Sequence, residues 1–217
     1  MRRWQMIQQG LRSLFLMVLI LASCAAPGSD NPQQGCGGTE ASVSCLNILS
    51  IVPKNSAANT SNVDAFVHVC SRDPVTGQPT SFETLTDHSA DVAFSNTKFP
   101  KALGTFDIRI IGYSVFYERN GPCPSPSVAQ ACPSLAPLSV QETIVVPAGG
   151  TVTRGLKFVP LEVKLVYAGN FDVRLPIPVL SYTALYVFTA QTIGLNDTFT
   201  VEANREFTIA DFDTCSR

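Results

Sequence analysis

The clearest pattern in the chain is an alternation of apolar and polar residues close to its C-terminus. Apolar side chains occupy every second position of residues 199–209 except at Arg205, and Thr, Glu and Asn fill the positions between them. A period of two is typical of a strand with one buried face. The pattern therefore predicts a strand or a bent strand pair, with Arg205 marking the bend or the rim of the sheet.

Two further segments carry the same kind of signal. Residues 161–167 alternate in the same way and predict another strand. Residues 107–119 change phase, because the apolar positions before and after Gly112 have opposite parity. A β-bulge near Gly112 would bring both sets to the core. A central strand buried on both faces is the alternative explanation.

The rest of the chain after residue 42 is also strand-like. β-Branched and aromatic runs separated by Pro, Gly, Asn and Asp predict strands at residues 46–52, 65–71, 90–95, 141–146, 151–158 and 182–191. No amphipathic helical segment of useful length is expected. About nine strands predict an all-β fold, an antiparallel Greek-key β-sandwich over residues 43–217, with a closed β-barrel as the alternative. The pattern resembles immunoglobulin-like and fibronectin-type domains, without the Cys, Trp, Cys arrangement of true immunoglobulin domains, and this resemblance implies no site.

The N-terminus has the layout of an export signal. Arg2, Arg3 and Arg12 precede an apolar run over residues 14–22, and small residues follow it. The run is shorter than the roughly 20 apolar residues that a membrane-spanning helix needs.

The end of this run, Leu21-Ala22-Ser23-Cys24, resembles the lipobox of bacterial lipoprotein precursors. The resemblance implies that residues 1–23 are a signal peptide and that Cys24 is acylated and becomes the first mature residue. Ala25, rather than Asp, directly after Cys24 resembles the sorting signal for the outer membrane in Gram-negative lipoproteins. We therefore expect a lipid-anchored protein of the bacterial cell envelope, on the periplasmic face or the cell surface of the outer membrane. An ordinary signal peptide with Cys24 as a structural thiol, or an uncleaved anchoring helix, are the alternatives.

Residues 24–42 are rich in Gly, Pro, Ser, Asn and Gln and lack apolar periodicity. This composition predicts a flexible tether. About 18 residues span at most ~60 Å when extended and ~25 Å as a coil, so the domain would stay close to the lipid surface.

Six cysteines follow Cys24, and an even number in an exported protein predicts three disulfides. Six cysteines allow 15 connectivities. Proximity favours the pairs Cys36–Cys45 and Cys123–Cys132, which leaves Cys70–Cys215. No C-x-x-C motif and no Cys-His pair at zinc-finger spacing occur, which argues against a cysteine metal site.

Charge restricts the partners. The chain is 45% hydrophobic and 15% charged, a composition that can form a core. Three of the 15 basic residues precede Cys24, which leaves 12 against 17 acidic residues. The acidic balance argues against nucleic acid and against an anionic lipid surface, since both require basic patches.

Motifs for catalysis are missing from the sequence. Neither G-x-S-x-G nor H-E-x-x-H occurs, and the chain has two histidines. His68 is expected near the Cys70 disulfide as a buried or rim residue. We expect no enzyme activity and no cofactor or metal.

Two weak clusters are candidate cation sites. Asp87, His88 and Asp91 share a polar turn, and Asp211 and Asp213 flank Phe212. Carboxylate oxygens suit calcium, but the Asp-x-Asp spacing alone is explained equally well by a polar strand end.

The leading functional hypothesis is a non-catalytic scaffold or protein-interaction module with a partner in the envelope. The alternative is a carbohydrate-binding module at the cell surface. Aromatic side chains would then stack on sugar rings, and the candidates are Tyr113, Tyr117, Tyr182 and Tyr186.

Overall fold

The alternation found in the sequence becomes twelve strands and one helix in the part of the chain that the structure describes. The computed structural model describes residues 34–39, 42–54, 61–98, 103–122, 132–172, 176–195, 197–212 and Cys215. The elements are β1 (Gln34–Thr39), β2 (Ser42–Lys54), β3 (Asn62–Asp64), β4 (Val69–Arg72), β5 (Pro79–Phe82), β6 (His88–Lys98), β7 (Ile108–Arg119), β8 (Leu138–Val140), β9 (Ile144–Val146), β10 (Thr151–Val159), α1 (Leu161–Ala168), β11 (Leu180–Thr192) and β12 (Thr198–Ala210).

The strands form two layers and a small hairpin. One sheet has the order β1-β2-β6-β10, and the other has the order β3-β12-β11-β7-β8 with β9 also paired to β7. Strands β4 and β5 form the hairpin. The chain changes layer between β2 and β3, between β6 and β7, between β9 and β10 and between β10 and β11, as connections in a β-sandwich do. The predicted all-β sandwich is confirmed, and the described strands form separate sheets rather than the alternative closed barrel. Strand β3 departs from the antiparallel rule, because it pairs in parallel with β12.

The sandwich has an upper and a lower end, defined by the connections between its strands. The upper end contains the connections β6–β7, β9–β10 and β11–β12. The lower end contains α1, β3, the β4–β5 hairpin and the residues that follow β12. At the upper end, buried Asn96 donates hydrogen bonds to the carbonyls of Phe106 (2.7 Å) and Val146 (3.2 Å), and the Ser44 hydroxyl accepts the Phe106 N–H at 2.6 Å. These bonds fix the β6–β7 connection.

The core lies between the two layers and is rich in aromatic rings. Phe94 on β6 meets Phe188 on β11, and Phe158 on β10 meets Phe207 on β12, each with ring centroids 5.1 Å apart in an edge-to-face arrangement. This geometry suits the charge distribution of aromatic rings. The aromatic side chains that point inward from these four strands therefore contact one another across the sandwich.

The phase change in β7 is a β-bulge, as the first of the two interpretations predicted. Gly112 pairs with Thr189 and Ile110 with Ala190, which leaves Ile111 as an extra residue on β7. Apolar residues on both sides of the bulge consequently face the core. Gly112 also permits a close approach of β8, since a Cβ there would lie 2.9 Å from the Val140 carbonyl oxygen.

Residues 161–167 form helix α1, so the predicted strand is wrong, as is the expectation that no helix of useful length occurs. Pro160 directly precedes the helix and Gly169 follows it, as is common at helix ends. Val163 and Tyr167, four residues apart, lie on its buried face. Seven residues are too few to separate a period of two from a period of 3.6 when every second residue is apolar.

Arg205 does not mark a bend. Strand β12 is continuous over 13 residues and pairs with β11 without a register shift. Arg205 keeps the inward parity and is partly buried opposite Ala184, two residues from Ala203.

The boundaries of other predicted elements also shift. Strand β1 lies inside the segment 24–42 that was predicted as tether, so the sandwich begins earlier than expected. Of residues 65–71, only 69–71 are in a strand, β4, and of residues 141–146 only 144–146 are, in β9. Strand β1 crosses close to β12, because a Cβ on Gly35 would lie 2.5 Å from Cγ2 of Val201.

Candidate functional site

Charged side chains are buried together at the lower end. Asp64 ends β3, Glu83 directly follows β5, and Lys164 lies on the inner side of α1. Their exposed fractions are 7%, 8% and 4%. The three groups interact electrostatically, with Glu83 raising and Lys164 lowering the pKa of Asp64. This buried charge cluster, defined by Asp64, Glu83 and Lys164, is the strongest concentration of ionisable chemistry in the described chain.

The Asp64 carboxylate is held by backbone amides. Its Oδ1 accepts the N–H groups of Phe66 and Phe212, each at 3.2 Å. Burial raises the pKa of Asp64 from 3.8 to about 6, and repulsion by Glu83 adds to this, whereas the two backbone hydrogen bonds oppose it. The residue joins the start of the β4–β5 excursion to the chain that leaves β12.

Lys164 supplies the positive charge of the cluster. Burial lowers the pKa of its amine, and the carboxylates of Asp64, Asp87 and Glu83 oppose that effect. On the same face of α1, Tyr167 packs against Phe66 and donates its hydroxyl to the Ile209 carbonyl at 3.2 Å.

A carboxyl with a pKa near neutrality beside an amine can exchange protons, which is the chemistry that general acid–base sites use. Structural ion-pair networks perturb pKa values in the same way. Asp64 accepts hydrogen bonds from two backbone amides, and Lys164 interacts electrostatically with three carboxylates. The arrangement fastens α1 and the chain terminus to the sandwich.

A second set of contacts, an ion pair and a disulfide, lies beside this cluster. His68 Nε2 is 2.5 Å from Asp211 Oδ1. Cys70, two residues after His68, is bonded to Cys215, with a Cα–Cα distance of 5.4 Å. His68 thus lies next to the long-range disulfide, as the sequence predicted, and residues 68–70 are joined twice to the residues that follow β12.

The predicted cation candidates do not converge. Asp87 accepts the Leu161 N–H at 2.8 Å at the start of α1, whereas Asp91 forms an ion pair with Lys54 on β2. His88 is buried, with 1% of its surface exposed. Asp211 faces His68, and Asp213 lies outside the described residues. Within the described ranges, no group of three or more His, Cys, Asp or Glu side chains is placed to hold a metal ion.

Three of the tyrosines proposed for sugar binding cap the edge of β10 instead. Tyr113 accepts the Lys157 N–H at 3.0 Å, while Tyr186 donates to the Lys157 carbonyl at 2.8 Å and Tyr117 to the Phe158 carbonyl at 2.6 Å. Burial raises the pKa of all three hydroxyls. Their inward parity on β7 and β11 was the available signal for this role.

Tyr182 is likewise buried, and its hydroxyl donates to the Pro133 carbonyl at 2.7 Å. Together with Tyr167, all five tyrosines of the chain use their hydroxyls on the backbone. The carbohydrate hypothesis therefore loses the residues on which it was based.

Two of the predicted disulfides are present, Cys36–Cys45 between β1 and β2 and Cys70–Cys215. Cys36 lies directly opposite Cys45 in the register of the two strands, which explains why proximity in sequence identified the pair. Cys132 is disulfide-bonded, and its predicted partner Cys123 lies outside the described residues. The predicted lipidation residue Cys24 lies outside them as well.

Comparison with known proteins gives no match to any family model, curated protein or solved structure. No helix in the described ranges is long and apolar enough to cross a membrane.

Proposed function

We propose that this chain is a non-catalytic, lipid-anchored protein of the bacterial cell envelope, held on the outer membrane through Cys24 and acting as a scaffold or protein-interaction module. The observation that carries the proposal is the sequence Leu21-Ala22-Ser23-Cys24 at the end of an arginine-flanked apolar run. The partner is expected to be another envelope protein.

The cysteine usage supports export. Two disulfides join described residues, and one of them spans a sequence separation of 145. Disulfides form and persist in oxidising compartments such as the periplasm. Cys24 is then the odd cysteine, and acylation gives it a chemical role that the other six do not share.

The polar side chains of the lower end support a non-catalytic role. Catalysis requires a group that can reach a substrate. Asp64 is instead engaged by two backbone amides, and Asp87 by the first turn of α1.

The anchor is tested by replacing Cys24 with Ser in the full chain expressed in a Gram-negative host. The variant should be exported and folded but recovered from the soluble periplasmic fraction, whereas the wild type should fractionate with the outer membrane. Mass spectrometry of the mature wild-type protein, native and reduced, should show the acyl groups and three disulfides. An unmodified Cys24, or membrane association unchanged in the variant, would contradict the proposal.

The interaction role is tested by crosslinking and affinity capture from envelope extracts. The acylated protein should enrich a defined protein over the Cys24→Ser form, since the anchor places it beside its partner. If the acylated protein and the Cys24→Ser form capture the same proteins in equal amounts, and none is enriched, the result counts against a scaffold.

A further inference from the structure

The outward face of α1 is apolar beyond its first turn, where Glu162 is exposed. Leu165 and Val166 expose 55% and 59% of their surface. A surface helix of a globular protein normally turns polar residues outward and apolar residues to the core. In α1 the inward face carries Lys164 and Tyr167, so this pattern is partly inverted.

Other exposed apolar side chains lie at the same end of the sandwich. Phe82 ends β5 beside Glu83 of the buried charge cluster, Val67 follows Phe66, and Val179 precedes β11. They expose 60%, 54% and 61% of their surface, respectively. Since Phe66 packs on Tyr167 of α1, Val67 follows a residue that contacts the helix.

The direction of β1 shows from which side the tether arrives. In the antiparallel β1–β2 pair, Thr39 lies opposite Ser42 and Gln34 opposite Asn47. Strand β2 runs from the upper end towards Lys54 at the lower end. The chain that leads into Gln34 therefore approaches from the side of the lower end.

The length of the chain before Gln34 is sufficient to reach that end. Seven residues separate Asn47 from Lys54, a distance of ~23 Å along a strand. Ten residues, 24–33, precede Gln34 and extend to at most ~33 Å. Cys24 can thus lie at the level of the lower end without any reversal of the chain.

We infer that the lower end is the membrane-facing end of the domain, with Leu165, Val166 and Phe82 in contact with the bilayer that holds the Cys24 lipid. This inference rests on the proposed lipid anchor. The partner surface is a zwitterionic bilayer, because the exposed side chains that face it are apolar and the Glu162 carboxylate beside them would be repelled by anionic headgroups, whereas Asp87 is paired with Lys157 at 3.2 Å. Contact is made through the apolar side chains, and the acyl chains on Cys24 keep the surface near.

The chain offers a direct test, because its one tryptophan, Trp4, precedes Cys24 and is removed with the signal peptide. Val166→Trp and Phe82→Trp each place a single tryptophan at the lower end. Leu103→Trp is the matched control, since Leu103 is 87% exposed at the upper end. The acylated proteins are reconstituted into phosphatidylcholine vesicles with brominated or ordinary acyl chains, and tryptophan emission is recorded.

Both lower-end tryptophans should lose about half of their emission in brominated vesicles and shift to shorter wavelength, because interfacial helices bury their apolar face ~5–10 Å into the headgroup and acyl boundary. The control tryptophan should be unaffected. If all three proteins float with the vesicles but neither lower-end tryptophan is quenched, or if position 103 is quenched instead, the orientation is wrong while the anchor stands. If the proteins do not float with the vesicles, the anchor and the orientation both fail.

Discussion

Replacing Asp64 with asparagine should change how the stability of the domain depends on pH. In the folded protein, burial and the nearby Glu83 raise the pKa of this carboxyl to about 6, against 3.8 for an unperturbed aspartate. The folded state therefore binds the proton more tightly than the unfolded state. The stabilisation that this gives is complete below pH ~4 and is lost as pH rises through ~6.

The size of the effect follows from the shift. A shift of roughly two pKa units at 1.36 kcal/mol per unit corresponds to about 3 kcal/mol between the two limits. The asparagine side chain of the Asp64→Asn variant has no proton to exchange in this range, and its Oδ1 can accept the same N–H groups of Phe66 and Phe212. Most of this change falls within the range that can be tested, so the stability of the variant relative to wild type should rise by about 2 kcal/mol between pH 4.5 and pH 7.5.

The assay is urea unfolding at half-unit intervals over this range, with midpoints and slopes compared at each pH. Asp73→Asn is the matched control. Asp73 is exposed, and hydrogen bonds from the backbone N–H groups of Thr76 and Val75 lower its pKa. Its contribution is lost only as pH falls below the range tested, so its difference from wild type should be constant. A constant difference for the Asp64 variant, or one that falls as pH rises, would refute the assignment of the proton to Asp64.

Three further perturbations test other parts of the fold by reversible urea or thermal unfolding. Gly35→Ala should destabilise the domain by about 1–3 kcal/mol, because its Cβ would lie 2.5 Å from Val201 Cγ2 and 2.7 Å from the Thr200 carbonyl oxygen; an unchanged midpoint would contradict the close crossing of β1 over β12. Tyr117→Phe should cost about 1–3 kcal/mol, since the Phe158 carbonyl loses a buried donor; the prediction fails if the variant is as stable as wild type. Replacing both cysteines of the long-range disulfide with serine should lower the free energy of unfolding by about 5 kcal/mol, against about 2.5 kcal/mol for the β1–β2 disulfide. The difference arises because the sequence separations are 145 and 9. A larger loss of stability for the short loop would argue against the chain-entropy account.

Much of the sandwich could be predicted because a strand with one buried face has apolar residues at every second position of its sequence. The alternation in β12 reproduces its burial, and the phase change around Gly112 located the bulge, since the period of two forces any extra residue to shift the pattern. The failure at α1 has the opposite cause. A seven-residue segment whose odd positions are all apolar fits either element, and the boundary residues Pro160 and Gly169 were the better signal.

The buried charge cluster could not be predicted, because its members are far apart in the chain. Asp64, Glu83 and Lys164 come from β3, the end of β5 and α1, and only the sheet topology brings them to one end. The tyrosine hydroxyls raise the same difficulty. Inward parity predicts that these rings are buried, but the backbone of β10 that they cap is visible only once the two sheets face each other.

Helix α1 connects the energetics of the lower end with the proposed orientation. Its inward face carries the Lys164 amine, and burial of an amine is costly unless carboxylates compensate it, as Asp64 and Glu83 do here. Its outward face carries Leu165 and Val166, whose exposure to water is unfavourable and has no such compensation. An apolar medium below α1 would remove this second cost and leave the first unchanged. The carboxylates thus account for the first departure from an ordinary surface helix, and a bilayer that the Cys24 lipid keeps in place would account for the second.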